Sequence, residues 1–470
     1  MSKVKEYAGM TKDKLMIYTF IALLALMIIT VVSWWGVYAT DVATGEQIGW
    51  QMGLALLANC LIAVGIAVGL DALISKVAVD SQLNIMSAGV FGLIVGLSYS
   101  LGLPQMRTVE LLPLTAPDAF LYTALITTVG MVIFKKIGGL RGRKYVNPAA
   151  AAKLLVLLPF LNTLILAKDH LWNSAWLSDP GAATGLGIPS LAGPIGYGEL
   201  AINNNGAASF ATYVAGCFWN PTTAPPLVPT ENDIFPLMFL DKFHGWPGGA
   251  SSLAVIIVGI ALFVIARRYI KWRITGTYFV AVALMAVIMH FAYPGGDLLL
   301  RLEFELLIGS SIFLAFFMAT DPATTPITYM GQIIFGAGLG VLTVLIQTYM
   351  GFLGGSILAL VIMNLTSPFL DRVGKLKPMA EKKEPKLPKA KQFTAVKVTE
   401  CIRCGACMRV CCHKLSPILI KQAFDKNDVA KLSKLQADLC DGCGHCSFVC
   451  PSRIDLKGSV LRSKALLRKQ

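Results

Sequence analysis

Long apolar runs recur over the first 371 residues and set the tightest limit on what this chain can fold into. Of its 470 residues, 55% are hydrophobic and only 14% are charged, a balance that a water-soluble domain of this size does not need. Several runs reach about 20 residues, the length of an α-helix that crosses a bilayer core. The pattern predicts an all-α, polytopic membrane domain over residues 1–371.

Ten membrane helices are expected, at residues 15–38, 50–75, 86–103, 117–134, 147–167, 250–267, 274–293, 303–319, 331–349 and 352–370. The first run is too long for the apolar part of a signal peptide and lacks a small-residue cleavage site. Helix three ends in GLP at 102–104 and helix eight ends in TDP at 320–322. Matched breaks favour a 5+5 inverted repeat with a site or pathway near the midplane, and ordinary kinks are the alternative.

Loop charge predicts the orientation of these helices. Basic residues cluster before helix one and in loops 135–144 and 267–273, all on one side of a ten-helix arrangement. By the positive-inside rule that side is the cytoplasm, so both termini are expected there. Segment 168–249 is long and mainly acidic, and loops of this length are usually functional. We expect it outside, in a multi-pass protein of the cell inner membrane.

Eight cysteines in the tail repeat one spacing twice. Residues 372–395 have the composition of a linker, and in the compact domain 396–470 gaps of two, two and three residues separate the cysteines of each run. This spacing is typical of two-cluster ferredoxins, in which the fourth cysteine of each run binds the other cluster. Two [4Fe-4S] clusters are therefore predicted. The first ligand set is Cys401, Cys404, Cys407 and Cys450, and the second ligand set is Cys411, Cys440, Cys443 and Cys446.

The remaining three cysteines are not expected to bind iron. Cys412 stands where such domains usually have proline and is left as a spare thiol. Cys60 and Cys217 are isolated and are expected to be packing residues. A zinc site is the alternative reading of the tail, but zinc favours paired Cys-x-x-Cys units and each run has an extra cysteine.

The net charge of +14 belongs to the tail. From Arg372 onward there are 22 Lys and Arg against 8 Asp and Glu, and the rest of the chain is neutral. Such a tail is expected to lie beside anionic membrane lipid, and a docking face for an acidic electron carrier is the alternative. Nucleic-acid binding is not expected, because no basic motif interleaved with aromatic residues occurs.

Several short stretches carry a family resemblance. They are KIGG at 136–139, YVNPA at 145–149, FFMATDP at 316–322, PIT at 326–328 and MN at 363–364. Over residues 15–371 the chain resembles the D subunit of Rnf-type ferredoxin:NAD oxidoreductases and the related B subunit of the sodium-pumping NADH:quinone oxidoreductase. In the tail, ECIRCGAC at 400–407 and VCPS at 449–452 are similar to the ferredoxin module of the Rnf C subunit. The whole therefore resembles a fusion of the two.

The resemblance implies flavin cofactors. In that family a threonine in a Ser-Gly-Ala-Thr context carries FMN through a phosphoester bond on the outer face. The matching stretch is DPGAAT at 179–184, so Thr184 is the expected attachment residue, although Gly181 and Ala182 replace the usual serine and glycine. An ordinary loop threonine is the alternative. The family also holds a non-covalent riboflavin within the membrane, for which the sequence indicates no residues.

Three charged residues lie in or at the ends of apolar segments, where charge is costly and often functional. They are Asp71, Lys153 and Asp321. Asp321 is the candidate for an ion pathway, and capping of a helix beside Pro322 is the alternative.

These features predict a membrane electron-transfer subunit of an Rnf-like ion-translocating oxidoreductase complex, incomplete without partner subunits. A soluble ferredoxin or similar carrier would reduce the clusters, and flavins would pass electrons to NAD or quinone while sodium or protons cross the membrane. An outer flavin and cytoplasmic clusters are about 30 Å or more apart, so cofactors on other subunits are required. The alternatives are a non-pumping oxidoreductase module that feeds quinone or outer-face cytochromes, and a channel or permease with a redox-regulated tail.

Overall fold

The computed structural model describes residues 10–36, 39–40, 47–48, 51–77, 83–98, 117–137, 144–161, 246–292, 298–307, 311–350, 355–373 and 398–468. Residues up to 373 are called the membrane domain below, and residues 398–468 are called the C-terminal module. The predicted linker lies outside the described residues from residue 374 onward, and the predicted outer loop lies outside them up to residue 245.

The described part of the membrane domain is predominantly helical. Its helices are α1 (Lys12–Ser33), α2 (Met52–Val77), α3 (Ile85–Ser98), α4 (Pro117–Val129), α5 (Pro148–Leu161), α6 (Ser252–Ala266), α7 (Trp272–Ala292), α8 (Leu298–Leu307), α9 (Ser311–Phe313), α10 (Tyr329–Met350) and α11 (Gly355–Leu370). π-helical turns continue α4 through Gly130–Ile137 and α9 through Leu314–Met318. A 3₁₀ turn precedes α6 at Pro247–Gly249, and Ala39–Thr40 pairs antiparallel with Gln47–Ile48.

Local capping fixes where two of these helices begin. The hydroxyl of Thr11 accepts a hydrogen bond from the Lys14 N–H at 3.1 Å, and α1 starts at the next residue. The hydroxyl of Ser251 accepts from the Ala254 N–H at 3.3 Å at the start of α6. Each cap satisfies a backbone donor that the first helical turn leaves without a partner.

Five of the described helices are long and apolar enough to cross a membrane, namely Lys12–Ser33, Gly53–Val77, Phe120–Ile137, Trp272–Ala292 and Tyr329–Gln347. Shorter apolar helices lie at Ile85–Ser98, Ser252–Ala266 and Ser356–Leu370. The 14 residues of α3 extend about 21 Å, less than the bilayer core of about 30 Å. The chain is a multi-pass membrane protein, and ten crossings stay a prediction.

Each of the ten predicted ranges overlaps a described helix, but the range 303–319 is divided between two. α8 begins earlier, at Leu298, and α9 with its π-helical turn covers Ser311 to Met318. Arg301 interrupts the apolar pattern in the sequence, yet it is buried and forms an ion pair with Glu305 at 3.2 Å. The pair lets the helix include both charges.

The helices of the two halves contact one another in the same order. α2 packs on α3 and α4, and α7 packs on α8 and α10; α4 then contacts α5 as α10 contacts α11. A five-helix repeat requires this order, and the inversion stays a prediction. Side chains such as Leu61, Val264 and Phe291 are exposed on the outside, as expected of a surface that faces lipid.

The C-terminal module is built from five short α-helices and one 3₁₀ turn (Ala437–Leu439) around two cysteine loops. The helices are α12 (Ala406–Arg409), α13 (Pro417–Asp425), α14 (Val429–Lys434), α15 (His445–Phe448) and α16 (Leu456–Arg468). Its apolar core includes Leu415, Ile420, Leu432 and Val460. Each cysteine loop runs directly into a four-residue helix, α12 or α15.

The module rests on one face of the membrane domain. The Lys12 N–H donates to the Pro451 carbonyl at 2.9 Å, and the Tyr269 hydroxyl donates to the Val449 carbonyl at 3.5 Å. The start of α1 and the loop between α6 and α7 therefore share this face with the module. That the face is cytoplasmic is a prediction from loop charge.

Candidate metal centres

Four thiols line one cavity in the C-terminal module. They belong to Cys411, Cys440, Cys443 and Cys446, the four residues of the predicted second ligand set. Three come from the second cysteine run, and Cys411 comes from the end of the first run. This is the exchange of the fourth cysteine that two-cluster spacing implies. Cys412, the next residue, is not among the lining residues.

The residues of the first ligand set form a neighbouring group. Cys407 interacts electrostatically with Cys401, Cys404 and Cys450, and also with Cys446 of the second ligand set. Cys407, Cys446 and Cys450 belong to one buried cluster, against which Cys401 packs. The two sets are thus adjacent, which places any metal groups they hold close to one another.

Both cysteine loops have the same backbone geometry. The Arg403 N–H donates to the Cys401 sulfur at 3.4 Å, and the Gly442 N–H donates to the Cys440 sulfur at 3.3 Å. The donor residue is left-handed in each loop, with φ of 55° at Arg403 and 73° at Gly442. N–H groups aimed at sulfur favour the thiolate form, and such bonds also set the potential of iron–sulfur clusters.

Burial makes isolated thiolates unfavourable at these positions. It raises the pKa of the Cys404 and Cys446 thiols to about 12, because the charged form loses its hydration, and neighbouring thiols act in the same direction. Thiolates so close together need positive charge among them, which bound iron supplies. The donor set therefore fits iron–sulfur clusters.

Cys412, Cys443 and His445 form another group that could hold a metal. Their two sulfur atoms and one ring nitrogen all lie within 4.8 Å of one another. Sulfur and nitrogen ligands of this kind also suit zinc. The group uses Cys443, however, so it competes with the second ligand set for the same thiol. The cavity lined by four thiols favours a cluster.

One buried ion pair joins the first cysteine loop to the membrane domain. The Arg403 guanidinium lies 2.6 Å from a carboxylate oxygen of Asp371, just after α11, and both side chains are buried. The other oxygen of Asp371 accepts a hydrogen bond from the Ile327 N–H at 2.8 Å. Ile327 itself packs among Cys407 and Met408 of the module. A single carboxylate thus links α11, the segment before α10 and the cysteine loop.

Lys271 supports the same segment from the other side. Its ammonium donates to the Pro322 carbonyl at 3.0 Å and to the carbonyl and hydroxyl oxygens of Thr325, each at 2.9 Å. Burial, together with the positive charge of Arg403, lowers the pKa of Lys271 to about 7. Three donors meet three acceptors here, so segment 322–328 is fixed where the module contacts it.

The other predicted charged residues have defined partners. The Asp321 carboxylate accepts from the Ala323 N–H at 3.0 Å in the loop between α9 and α10. Asp71 is buried, pairs with Lys136 at 2.5 Å and accepts from the Asn84 N–H at 2.7 Å.

Lys153 is buried, donates to the Ser98 carbonyl and lies 4.6 Å from the centre of the Trp246 ring. The contacts explain how the chain tolerates these charges, and an ion pathway at Asp321 stays a prediction.

Several predicted residues lie outside the described part of the chain, namely Thr184, Gly181, Ala182 and Cys217. Cys60 is fully buried in the core of the membrane domain, 3.0 Å from a β-carbon built on Gly96. Sequence reasoning missed Arg403, Asp371 and Lys271. The available signal was an arginine between Cys401 and Cys404, where the second run has Gly442.

Comparison with known proteins concerns the membrane domain. Residues 5–379 match the model of the NQR2, RnfD, RnfE family. The D subunit of an ion-translocating oxidoreductase complex from Shewanella amazonensis is 30% identical over 266 residues, which are 54% of this chain and 70% of that protein. The D subunit of a Na⁺-translocating ferredoxin:NAD⁺ oxidoreductase complex from Acetobacterium woodii is 27% identical over 70% of this chain and 83% of its own length.

A second kind of relative has a different electron acceptor in its name. The B subunit of a Na⁺-translocating NADH-quinone reductase from Ectopseudomonas mendocina is 26% identical over 251 residues, which are 53% of each chain. The family model covers more than half of the 470 residues. This chain therefore belongs to the NQR2, RnfD, RnfE family, whose curated relatives are subunits of ion-translocating oxidoreductase complexes.

Proposed function

We propose that this protein is the membrane electron-transfer subunit of an Rnf-like ion-translocating oxidoreductase complex, with a two-cluster ferredoxin-type module fused to its C-terminus. The observation that carries the proposal is the position of the eight thiols. They form two adjacent groups in a module that rests directly on a membrane domain of the Rnf and Nqr type. Electron transfer into that membrane domain explains why the two parts share one chain.

The chain's own residues supply the surroundings that such clusters need. The clusters, when bound, provide one-electron transfer. The Arg403, Leu415 and Gly442 N–H groups donate to ligand sulfur atoms at 3.3 to 3.4 Å. Lys464 donates to the Cys440 carbonyl at 2.8 Å and brings positive charge close to the second ligand set. The tail that contains the module has a large excess of positive charge. An acidic electron carrier such as a soluble ferredoxin suits such a surface.

Iron and acid-labile sulfide analysis tests the cluster content. The purified protein should hold about eight of each, four per cubane cluster, and should give low-temperature EPR signals on reduction. Cys446→Ser should damage the cluster of the second ligand set and leave the first mostly intact. Stoichiometric zinc with no EPR signal would remove the proposal.

Covalent FMN at Thr184 is the flavin part of the proposal. A threonine phosphoester would tether a flavin that could otherwise diffuse away on the outer face. We expect a fluorescent band at this subunit on a denaturing gel under ultraviolet light, and its loss in Thr184→Val. A dark wild-type band, with the flavin transferase present, would remove covalent attachment and would favour the permease alternative. Riboflavin in the membrane would persist in the variant and be released on denaturation.

Ion translocation separates the proposal from a non-pumping module. In sealed vesicles that contain the whole complex, electron transfer should drive uptake of sodium or protons and should slow when the gradient opposes it. Turnover without uptake of either ion would favour the module that feeds quinone or outer-face cytochromes.

A further inference from the structure

The two cysteine loops have matching backbones but differ at their third residue. Residues 401–407 and 440–446 have the same spacing, the same N–H to sulfur bond and the same left-handed third residue. That third residue is glycine in the second loop and Arg403 in the first. Glycine adopts a positive φ without steric cost, whereas arginine is strained there. The side chain of Arg403 is therefore the main difference at this position between two loops of matching backbone.

The side chain of Arg403 contacts the membrane domain. Its guanidinium reaches the buried carboxylate of Asp371 at 2.6 Å, and that carboxylate also accepts from the Ile327 N–H at 2.8 Å. At the equivalent place in the second loop, a β-carbon on Gly442 would face Leu461 of the module itself. Removal of one partner of a buried ion pair leaves the other charge buried and uncompensated. Loss of the Arg403 side chain should therefore disturb Asp371 and its hydrogen bond from the Ile327 N–H.

The environments of the two loops differ as the contact predicts. Residues 402–408 are all buried, whereas the equivalent residues 441–447 are all partly exposed except Cys446. Ile402, Cys404 and Ala406 join the apolar core of the membrane domain. A narrow cavity with Ile327 and Gln332 on one side and Cys404 on the other marks the junction. The exposed Lys457, in the first turn of α16, lines the cavity of the second ligand set.

We propose that Arg403 and Asp371 are positioning residues that hold the first ligand set against the membrane domain, so that electrons leave the module there and enter it at the second ligand set. The proposal rests on the proposed function and adds an order to it. A reduced soluble carrier of acidic surface loses one electron at the second set. One electron then crosses to the first set and passes to a one-electron acceptor on a partner subunit of the membrane complex, a flavin or an iron–sulfur group, with no bond made or broken.

The test uses Arg403→Gly in the complete complex. This variant copies the second loop, so its backbone is relaxed and the cysteines keep their geometry. The expected result is unchanged iron content with faster hydrogen exchange in segment 326–332, by roughly 150- to 5,000-fold, the range that corresponds to losing one partner of a buried pair. Asp425→Asn is the matched control, because it breaks the exposed Lys421–Asp425 pair on the same module.

EPR supplies a readout of which set faces the membrane domain. An aqueous dysprosium complex should relax the second-set signal strongly and the first-set signal weakly in the wild-type complex. In Arg403→Gly the first-set signal should become as accessible as the second. The carrier should still reduce both sets at the wild-type rate, while reduction of the membrane flavin slows.

Each contrary result has its own meaning. Unchanged hydrogen exchange and unchanged EPR accessibility in an iron-replete Arg403→Gly complex would overturn the positioning role. Loss of iron from that variant alone would make Arg403 part of cluster binding and would also overturn it. Equal accessibility of both signals in the wild type would overturn the order of the two sets. Absence of clusters from the wild-type protein would instead defeat the proposed function.

Discussion

At the scale of single residues, adjacent cysteines in this module have different surroundings. Cys411 lines the four-thiol cavity, and its sulfur accepts from the Leu415 N–H at 3.3 Å. Cys412 lies instead beside Cys443 and His445. The grouping of the cysteines could be predicted from the sequence, because three of the four cysteines in each group lie on one short loop. The Arg403–Asp371 pair was not, because it spans 32 residues and the chain between them has no pattern that sets its path.

The two adjacent cysteines make a matched pair of variants. Cys411→Ser should remove the cluster of the second ligand set and lower the iron content by about half, from eight atoms to four. Cys412→Ser should keep all the iron and both EPR signals. The measurement is iron per chain with low-temperature EPR, and retention of both signals in Cys411→Ser would show that Cys412 is the ligand instead.

At the scale of helices, the π-helical turn after α9 is fixed by aromatic packing. Phe316 contacts Phe263 of α6 and Phe279 of α7, with ring centroids 5.2 and 5.8 Å apart. Gly259 of α6 makes room for that ring, since a β-carbon there would lie 2.3 Å from it. Hydropathy indicated the helices but not this turn, because an extra residue per turn depends on neighbours that the sequence does not order in space.

A pair of glycine variants tests this packing. Gly259→Ala should destabilise the membrane domain by roughly 1–3 kcal/mol, because the added methyl overpacks the Phe316 ring. Gly276→Ala in α7 is the control, since a β-carbon there meets nothing within 4 Å and alanine favours a helix. The midpoint temperature of thermal unfolding, measured on the detergent-solubilised protein, should fall for Gly259→Ala and stay unchanged for Gly276→Ala. Equal midpoints for both would contradict the packing at Phe316.

At the scale of the whole molecule, the sequence indicated two parts but not their contact. The length of apolar runs and the spacing of cysteines are local properties of the sequence. They were sufficient to predict a helical membrane domain and the two groups of cysteines. Docking depends on a few buried contacts, such as the Arg403–Asp371 pair and the Lys12 N–H to Pro451 bond. Such contacts have no signature in hydropathy or spacing.

The orientation of the molecule can be tested in intact cells. Ser190→Cys and Lys469→Cys place labels in the predicted outer loop and in the predicted cytoplasmic tail, both outside the described residues. An impermeant thiol reagent should modify position 190 and spare position 469, as peptide mass spectrometry would show. The opposite pattern would invert the predicted orientation, and the module would then lie outside the cell.

Continuous burial of residues 402–408 also limits how the protein can mature. In the docked molecule Cys404 and Cys407 are closed off by the membrane domain and by the rest of the module. A scaffold that delivers iron and sulfide cannot reach them in that state. If the first ligand set holds a cluster as proposed, that cluster must be inserted before the C-terminal module docks onto the membrane helices. Three of the four cysteines of the second ligand set stay partly exposed in the docked protein.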